Sequence, residues 1–167
     1  MLTELHEQVL LKICKLLQDS GKAVCWGLTG STSFAIQGMD FEPHDIDIQT
    51  DEPTAYILGD LLKDYVVQPV SYRGNERIRS HFGKFLAEGM EIEVRGDIQK
   101  KSGEEWENSI PLRSVLDFVD WKGYKLPVLR LPYEAEAYRK LGRLEKAAAI
   151  EQFIRERYNP VRRGDRA

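Results

Sequence analysis

Acid and isoleucine alternate through Asp45-Ile46-Asp47-Ile48, and this short run constrains the chain more than any other segment. Residues two apart on a strand share a face. Ile46 and Ile48 therefore point to a core, and Asp45 and Asp47 stand side by side on the opposite face. Aspartate is disfavoured in strands, and two adjacent carboxylates repel each other unless positive charge lies between them. A hard, oxygen-preferring cation such as Mg²⁺ suits that pair. A solvated strand face carrying ordinary acids is the plainer alternative.

The surrounding pattern supplies a scaffold. Leu5, Val9, Ile13, Leu16 and Leu17 recur at helical spacing within residues 2–20, and Gly21 stops the helix. Residues 23–28 read as a buried strand, Thr29-Gly30 as a turn, and residues 31–37 as a helix. After the strand at 45–49, a helix is expected over 54–62 and a strand over 66–72. Residues 77–86 and 90–96 read as a hairpin around Ala87-Glu88-Gly89. Residues 100–108 are polar and read as a surface loop. A second hairpin is expected from 112–120 and 124–129, then helices over 133–141 and 143–157, divided by Gly142. Pro160 ends the last helix, and a basic tail follows. The order predicts an α+β fold with a mixed sheet flanked by helices. A single domain of 167 residues is expected, with a core to about residue 130, C-terminal helices over 131–158 and a tail over 159–167.

Two further pieces bear on chemistry. Leu28-Thr29-Gly30-Ser31 lies between a strand and a helix. Gly30 permits close backbone approach, and a helix start offers unpaired N–H groups that suit phosphate. Ser31 can add a hydroxyl; alternatively, Ser31 or Thr29 only caps the helix. Met90-Glu91-Ile92-Glu93-Val94 alternates in the same way as the first run. Glu93, flanked by apolar residues, is the better candidate for a third acid, with Glu91 its competitor; a polar outer strand face is the alternative.

Composition narrows the classes. A 42% hydrophobic fraction supports a packed core, and a net charge of −3 argues against a nonspecific nucleic-acid coat. No apolar run reaches the roughly 20 residues needed to span a bilayer, and no signal peptide is visible. Cys14 and Cys25 read as buried free thiols of a cytoplasmic protein. The three histidines have no metal-ligand spacing.

Gly30-Ser31, a helix-length gap, Asp45-Ile46-Asp47-Ile48 and then Ile92-Glu93-Val94 resemble the nucleotidyltransferase superfamily that includes DNA polymerase beta. In size and style the chain is similar to small bacterial members that modify lincosamide or aminoglycoside antibiotics, and to the AbiEii-like group. The resemblance covers roughly the first two-thirds of the chain. It implies a nucleotidyltransferase fold with a short C-terminal helical extension. It implies that Asp45 and Asp47 bind Mg²⁺ or Mn²⁺, that Gly30 and Ser31 hold the triphosphate, and that Glu93 is the third acid, as ligand or base. The third acid in that family is usually Asp, so Glu93 departs from the pattern. The stretch from Tyr133 to Arg143 is similar to a helix that follows the catalytic core in the antibiotic-modifying members. There Lys140 and Arg143 would face the triphosphate, whereas an ion-paired solvated helix face, such as Glu136 with Lys140, is the alternative.

The expected activity is metal-dependent transfer of a nucleoside monophosphate from a triphosphate, ATP being the expected donor, to an acceptor hydroxyl, with release of pyrophosphate. The small chain leaves little surface for a template, so a small molecule or a protein is the expected acceptor, and a homodimer could build the cleft. A nucleotide-binding or antitoxin-like module with little turnover is the competing class. Arg79 and His81 read as exposed strand residues that could reach the site only from an adjacent strand. His44 is assigned no role, and the three tryptophans read as packing or loop anchors.

Overall fold

The computed structural model describes residues 1–158. The basic tail expected over 159–167 lies outside the described residues. The chain divides into two compact units, Met1–Val128 and the segment from Leu129 onward.

The first unit opens with α1 (Glu4–Asp19), whose N-cap Thr3 accepts from the His6 N–H. Its buried stripe, Val9, Leu10, Ile13, Cys14 and Leu17, has the helical repeat read from the sequence. Strand β1 (Trp26–Thr29) passes without a turn into α2 (Gly30–Ile36), correcting the turn expected at Thr29-Gly30. Strand β2 (Ile46–Thr50) follows, then α3 (Glu52–Leu61), capped by Asp51, which accepts from the Thr54 N–H at 2.9 Å. Next come β3 (Val66–Gly74), β4 (Ile78–Ala87) and β5 (Met90–Ser102). The turn between β4 and β5 is Glu88-Gly89, both at positive φ, 54° and 85°. This backbone twist matches that of the paired strands, and glycine adopts it at little cost.

The expected loop over 100–108 is corrected. Strand β5 runs on to Ser102 and pairs with β6 (Glu105–Trp106). The guanidinium of Arg79 and the ammonium of Lys101 lie 4.2 and 5.9 Å from the Trp106 ring centroid, which gives this polar ribbon a packed face. The strand expected from residue 112 begins later: Leu112–Val115 is a short 3-10 turn leading into β7 (Leu116–Trp121), then β8 (Tyr124–Leu129).

The sheet order is β3-β4-β5-β2-β1-β8-β7, with β6 on β5. Pairs β2–β5 and β1–β8 are parallel and the pairs β1–β2, β3–β4 and β4–β5 antiparallel, so the sheet is mixed. Leu28, Ile46, Ile48, Phe85, Ile92, Val94 and Val128 form one core with the apolar faces of α1 and α3. Burying a side chain of this size contributes about 1.5–3 kcal/mol, so the core-facing isoleucines fix which way the intervening acids point.

The second unit holds α4 (Leu131–Lys140) and α5 (Leu144–Tyr158). An Arg139–Glu151 ion pair links the two helices. Among the described residues, no helix is long and apolar enough to cross a membrane.

Candidate active site

Strand register assembles the acids. Asp47 lies opposite Thr29 of β1 and opposite Glu93 of β5, and Glu93 lies opposite Lys84 of β4. Thr29, Asp47, Glu93 and Lys84 thus form one row across four strands, on one face. Ile46 and Ile48, 0% and 1% exposed, hold the other face of β2 against the core. Asp45, Asp47 and Glu93 are half-buried.

The electrostatics follow from this crowding. Burial, then the neighbouring Glu93 carboxylate, push Asp47 up to about 7, with Arg95 pulling the other way. Burial also raises Asp45, aided by Glu91, to which its carboxyl is hydrogen-bonded. A hydrogen bond between two carboxyl groups needs a proton. Glu91 is held below the ordinary range, chiefly by its hydrogen bond from Lys84.

Gly30 meets this row from the β1 side. Its φ is +73°, and a Cβ there would fall 2.8 Å from Asp47 Oδ2. A side chain at this position would collide with the carboxylate, so glycine is what lets Asp47 sit against the opening residue of α2. Ser31 does not cap α2. Its Oγ accepts from the His44 N–H at 2.9 Å, while Thr32 Oγ1 donates to the Asp45 carbonyl at 2.8 Å. Both residues thereby tie α2 to the segment entering β2. A third tie comes from α1, where the buried His6 ring meets the His44 carbonyl through Nε2 at 2.5 Å.

Glu93 is held by two cations. Arg95 Nη2 donates to its Oε2 at 3.2 Å, and Lys84 Nζ lies 4.0 Å from its Oε1. Lys84 also pairs with Glu91. Arg95 is itself packed over the Phe82 ring, at 4.6 Å from the centroid. Among the described residues no three His, Cys, Asp or Glu side chains are gathered as a ready metal cage. The donor set nonetheless suits a hard divalent cation. It consists of carboxylate oxygens alone, and burial together with the neighbouring Glu93 carboxylate raises Asp47 to about 7, a cost that a bound cation would relieve.

His81 and Arg79 lie elsewhere. His81 faces α3: Tyr56 Oη is 2.8 Å from its Nδ1, and Glu52 Oε1 is 3.7 Å from its Nε2. Its neighbour in register is Gly96, one residue off the row that carries Arg95, so it is on the far face from the acids. Arg79 donates to Gln99 Oε1 at 2.7 Å beside Trp106. Lys140 and Arg143 belong to the second unit, where Arg143 lies 5.8 Å from the Tyr138 ring centroid. Sequence reasoning missed Lys84, Arg95, Thr32 and His6. Lys84 and Arg95 become visible only once the register is known.

Residues 9–152 match the family model for aminoglycoside-2''-adenylyltransferase. No curated protein matches the chain. A crystal structure from Thermotoga maritima, described as a candidate nucleotidyltransferase, is similar at 41% identity with a TM-score of 0.81, covering 93% of this chain and 96% of that one. ANT(2'')-Ia in complex with adenylyl-2''-tobramycin shares the fold at 14% identity and a TM-score of 0.50, covering 90% of this chain and 97% of that one. The lincomycin-bound lincosamide adenylyltransferase LnuA shares it at 14% identity and 0.52, over 89% and 98%. A carboxylate row on a mixed sheet and a family match spanning most of the chain agree: this protein belongs to the aminoglycoside-2''-adenylyltransferase family and is a nucleotidyltransferase.

Proposed function

We propose that this nucleotidyltransferase is a cytoplasmic enzyme that uses Mg²⁺ or Mn²⁺ and a nucleoside triphosphate, with ATP as donor, to place a nucleoside monophosphate on a hydroxyl group, with pyrophosphate as the leaving group. The observation that carries this reading is the in-register pairing of Asp47 with Glu93, beside Asp45 and against Gly30. Asp45 and Asp47 are the residues that would hold the cation, which when bound supplies charge neutralisation and Lewis acidity at the phosphate oxygens. Gly30 leaves the triphosphate room to approach the backbone. Ser31, whose oxygen is occupied by the His44 N–H, keeps its own O–H to donate to a phosphate oxygen. Glu93 receives the proton of the attacking hydroxyl at an Oε atom, and Arg95 and Lys84 orient it for that role. Most of the rate then comes from positioning and fixed charge. Lys140 and Arg143 are proposed as further contacts to the triphosphate.

A small hydroxylated molecule is the favoured acceptor, in keeping with the tobramycin and lincomycin named for the two solved adenylyltransferases. A protein hydroxyl is the second choice. The test is transfer of label from α-labelled ATP to an acceptor panel or lysate. Label should be transferred by the wild type and lost in Asp45→Asn and Asp47→Asn. One observation favours a nucleotide-binding module with little turnover instead: Glu93 is engaged by two cations, Arg95 and Lys84. Tight metal-nucleotide binding with no transfer to any acceptor would select that reading.

A further inference from the structure

The chain enters β2 through His44 and Asp45, and three side chains from two helices grip the backbone of these two residues. Ser31 Oγ accepts from the His44 N–H at 2.9 Å, and Thr32 Oγ1 donates to the Asp45 carbonyl at 2.8 Å. The third grip, from His6 to the His44 carbonyl, comes across 38 residues of sequence. His6 is 4% exposed, and its Nδ1 lies 2.6 Å from Thr3 Oγ1. A carbonyl can only accept, so Nε2 carries the hydrogen. In the neutral ring Nδ1 is then an acceptor, and the Thr3 hydroxyl donates to it. The chain of bonds runs Thr3 O–H to His6 Nδ1, then His6 Nε2–H to the His44 carbonyl. That carbonyl belongs to the residue directly before Asp45.

We infer that His6 is a positioning residue of the metal-nucleotide site, fixing the Asp45 carboxylate through the His44 carbonyl. Asp45 lies just before the first residue of β2, at the end of the sheet ladder. The side-chain grips take over where the ladder stops. Without the His6 donor the His44 carbonyl loses its bond, and the peptide carrying Asp45 can rotate. Supporting groups one step behind a metal-binding side chain characteristically alter affinity by about 10–100-fold when removed. This inference rests on the reading of Asp45 and Asp47 as cation-nucleotide ligands.

The experiment measures the dissociation constant of the Mn²⁺ complex of α,β-methylene-ATP by electron paramagnetic resonance, with circular dichroism verifying the fold of each variant. Asp47→Asn should abolish binding, which marks the site. His6→Leu, which fills the space without a donor, should weaken binding about 10–100-fold. His6→Gln, whose amide restores an N–H, should recover it to within about threefold. A purely structural His6 would lower the unfolding midpoint of both variants and leave the affinity of the folded fraction unchanged. Wild-type affinity in folded His6→Leu, or equal loss in Leu and Gln, overturns the inference while leaving the nucleotide site standing. A wild type that binds nothing overturns the nucleotide reading, and this one with it. Should His6→Leu not fold, Thr3→Val tests the same chain from its exposed end. It should weaken binding about 3–10-fold, with Thr3→Ser restoring it; unchanged binding in Thr3→Val overturns the inference.

Discussion

Replacing Asp47 by asparagine should make the metal-free protein more stable, and more so as the pH rises. Asp47 is held at about 7 against an ordinary 3.8, by burial first and by Glu93 second. A carboxyl whose folded value is raised binds more protons when folded than when unfolded. Stability therefore falls as pH rises from about 4 to about 7, and the penalty is fully present above that range. About 3 units at about 1.4 kcal/mol per unit gives a ceiling near 4 kcal/mol. Asparagine keeps the shape and cannot ionise, so Asp47→Asn should gain about 2–4 kcal/mol at pH 8 and under about 1 kcal/mol at pH 4. Urea unfolding in chelator at several pH values measures this directly. A variant equally stabilised at pH 4 and pH 8, or destabilised at pH 8, would refute the claim that burial and its neighbours disfavour ionised Asp47.

Three further outcomes are expected. Saturating Mn²⁺ should stabilise the wild type by about 2.7 kcal/mol at a hundred times the dissociation constant, seen as a raised midpoint in a thermal melt, and leave Asp47→Asn unmoved. Gly30→Ala should cost about 1–3 kcal/mol for strain at positive φ, because φ is +73° and the new Cβ would meet Asp47 Oδ2 at 2.8 Å; its nucleotide affinity should fall as well, by titration. Cys14, 5% exposed and pushed by burial to about 11, should resist thiol reagents at pH 8 in the native state and react on unfolding, by absorbance assay.

The parts of this fold legible in the sequence are those set by local period. The Asp45-Ile46-Asp47-Ile48 alternation showed both the strand and the face of its acids, because only one register buries the isoleucines. The helix stripe of α1 and the Glu88-Gly89 hairpin were equally local. What escaped depends on partners distant in sequence. The ribbon of β5 and β6 is polar along its length and is packed by Arg79 and Lys101 on Trp106. No period announces such contacts. Lys84 and Arg95 look like ordinary strand cations until β4, β5 and β2 are aligned. Glu93 was preferred to Glu91 on its apolar neighbours, and the register adds that it stands opposite Asp47. His6 left a fainter trace: it shares the buried stripe of Leu10, Ile13 and Leu17, an unusual place for an imidazole without a partner. Ser31 was read as either a cap or a phosphate ligand; its hydroxyl oxygen is engaged by the His44 N–H rather than by a capping bond, a contact set by a residue 13 positions away.

The most direct test of the carboxylate row is anomalous diffraction from crystals soaked with Mn²⁺ and α,β-methylene-ATP. A peak bridging Asp45 and Asp47, with the triphosphate against Gly30, is expected. A peak away from both aspartates, or nucleotide bound with no metal near them, would contradict it.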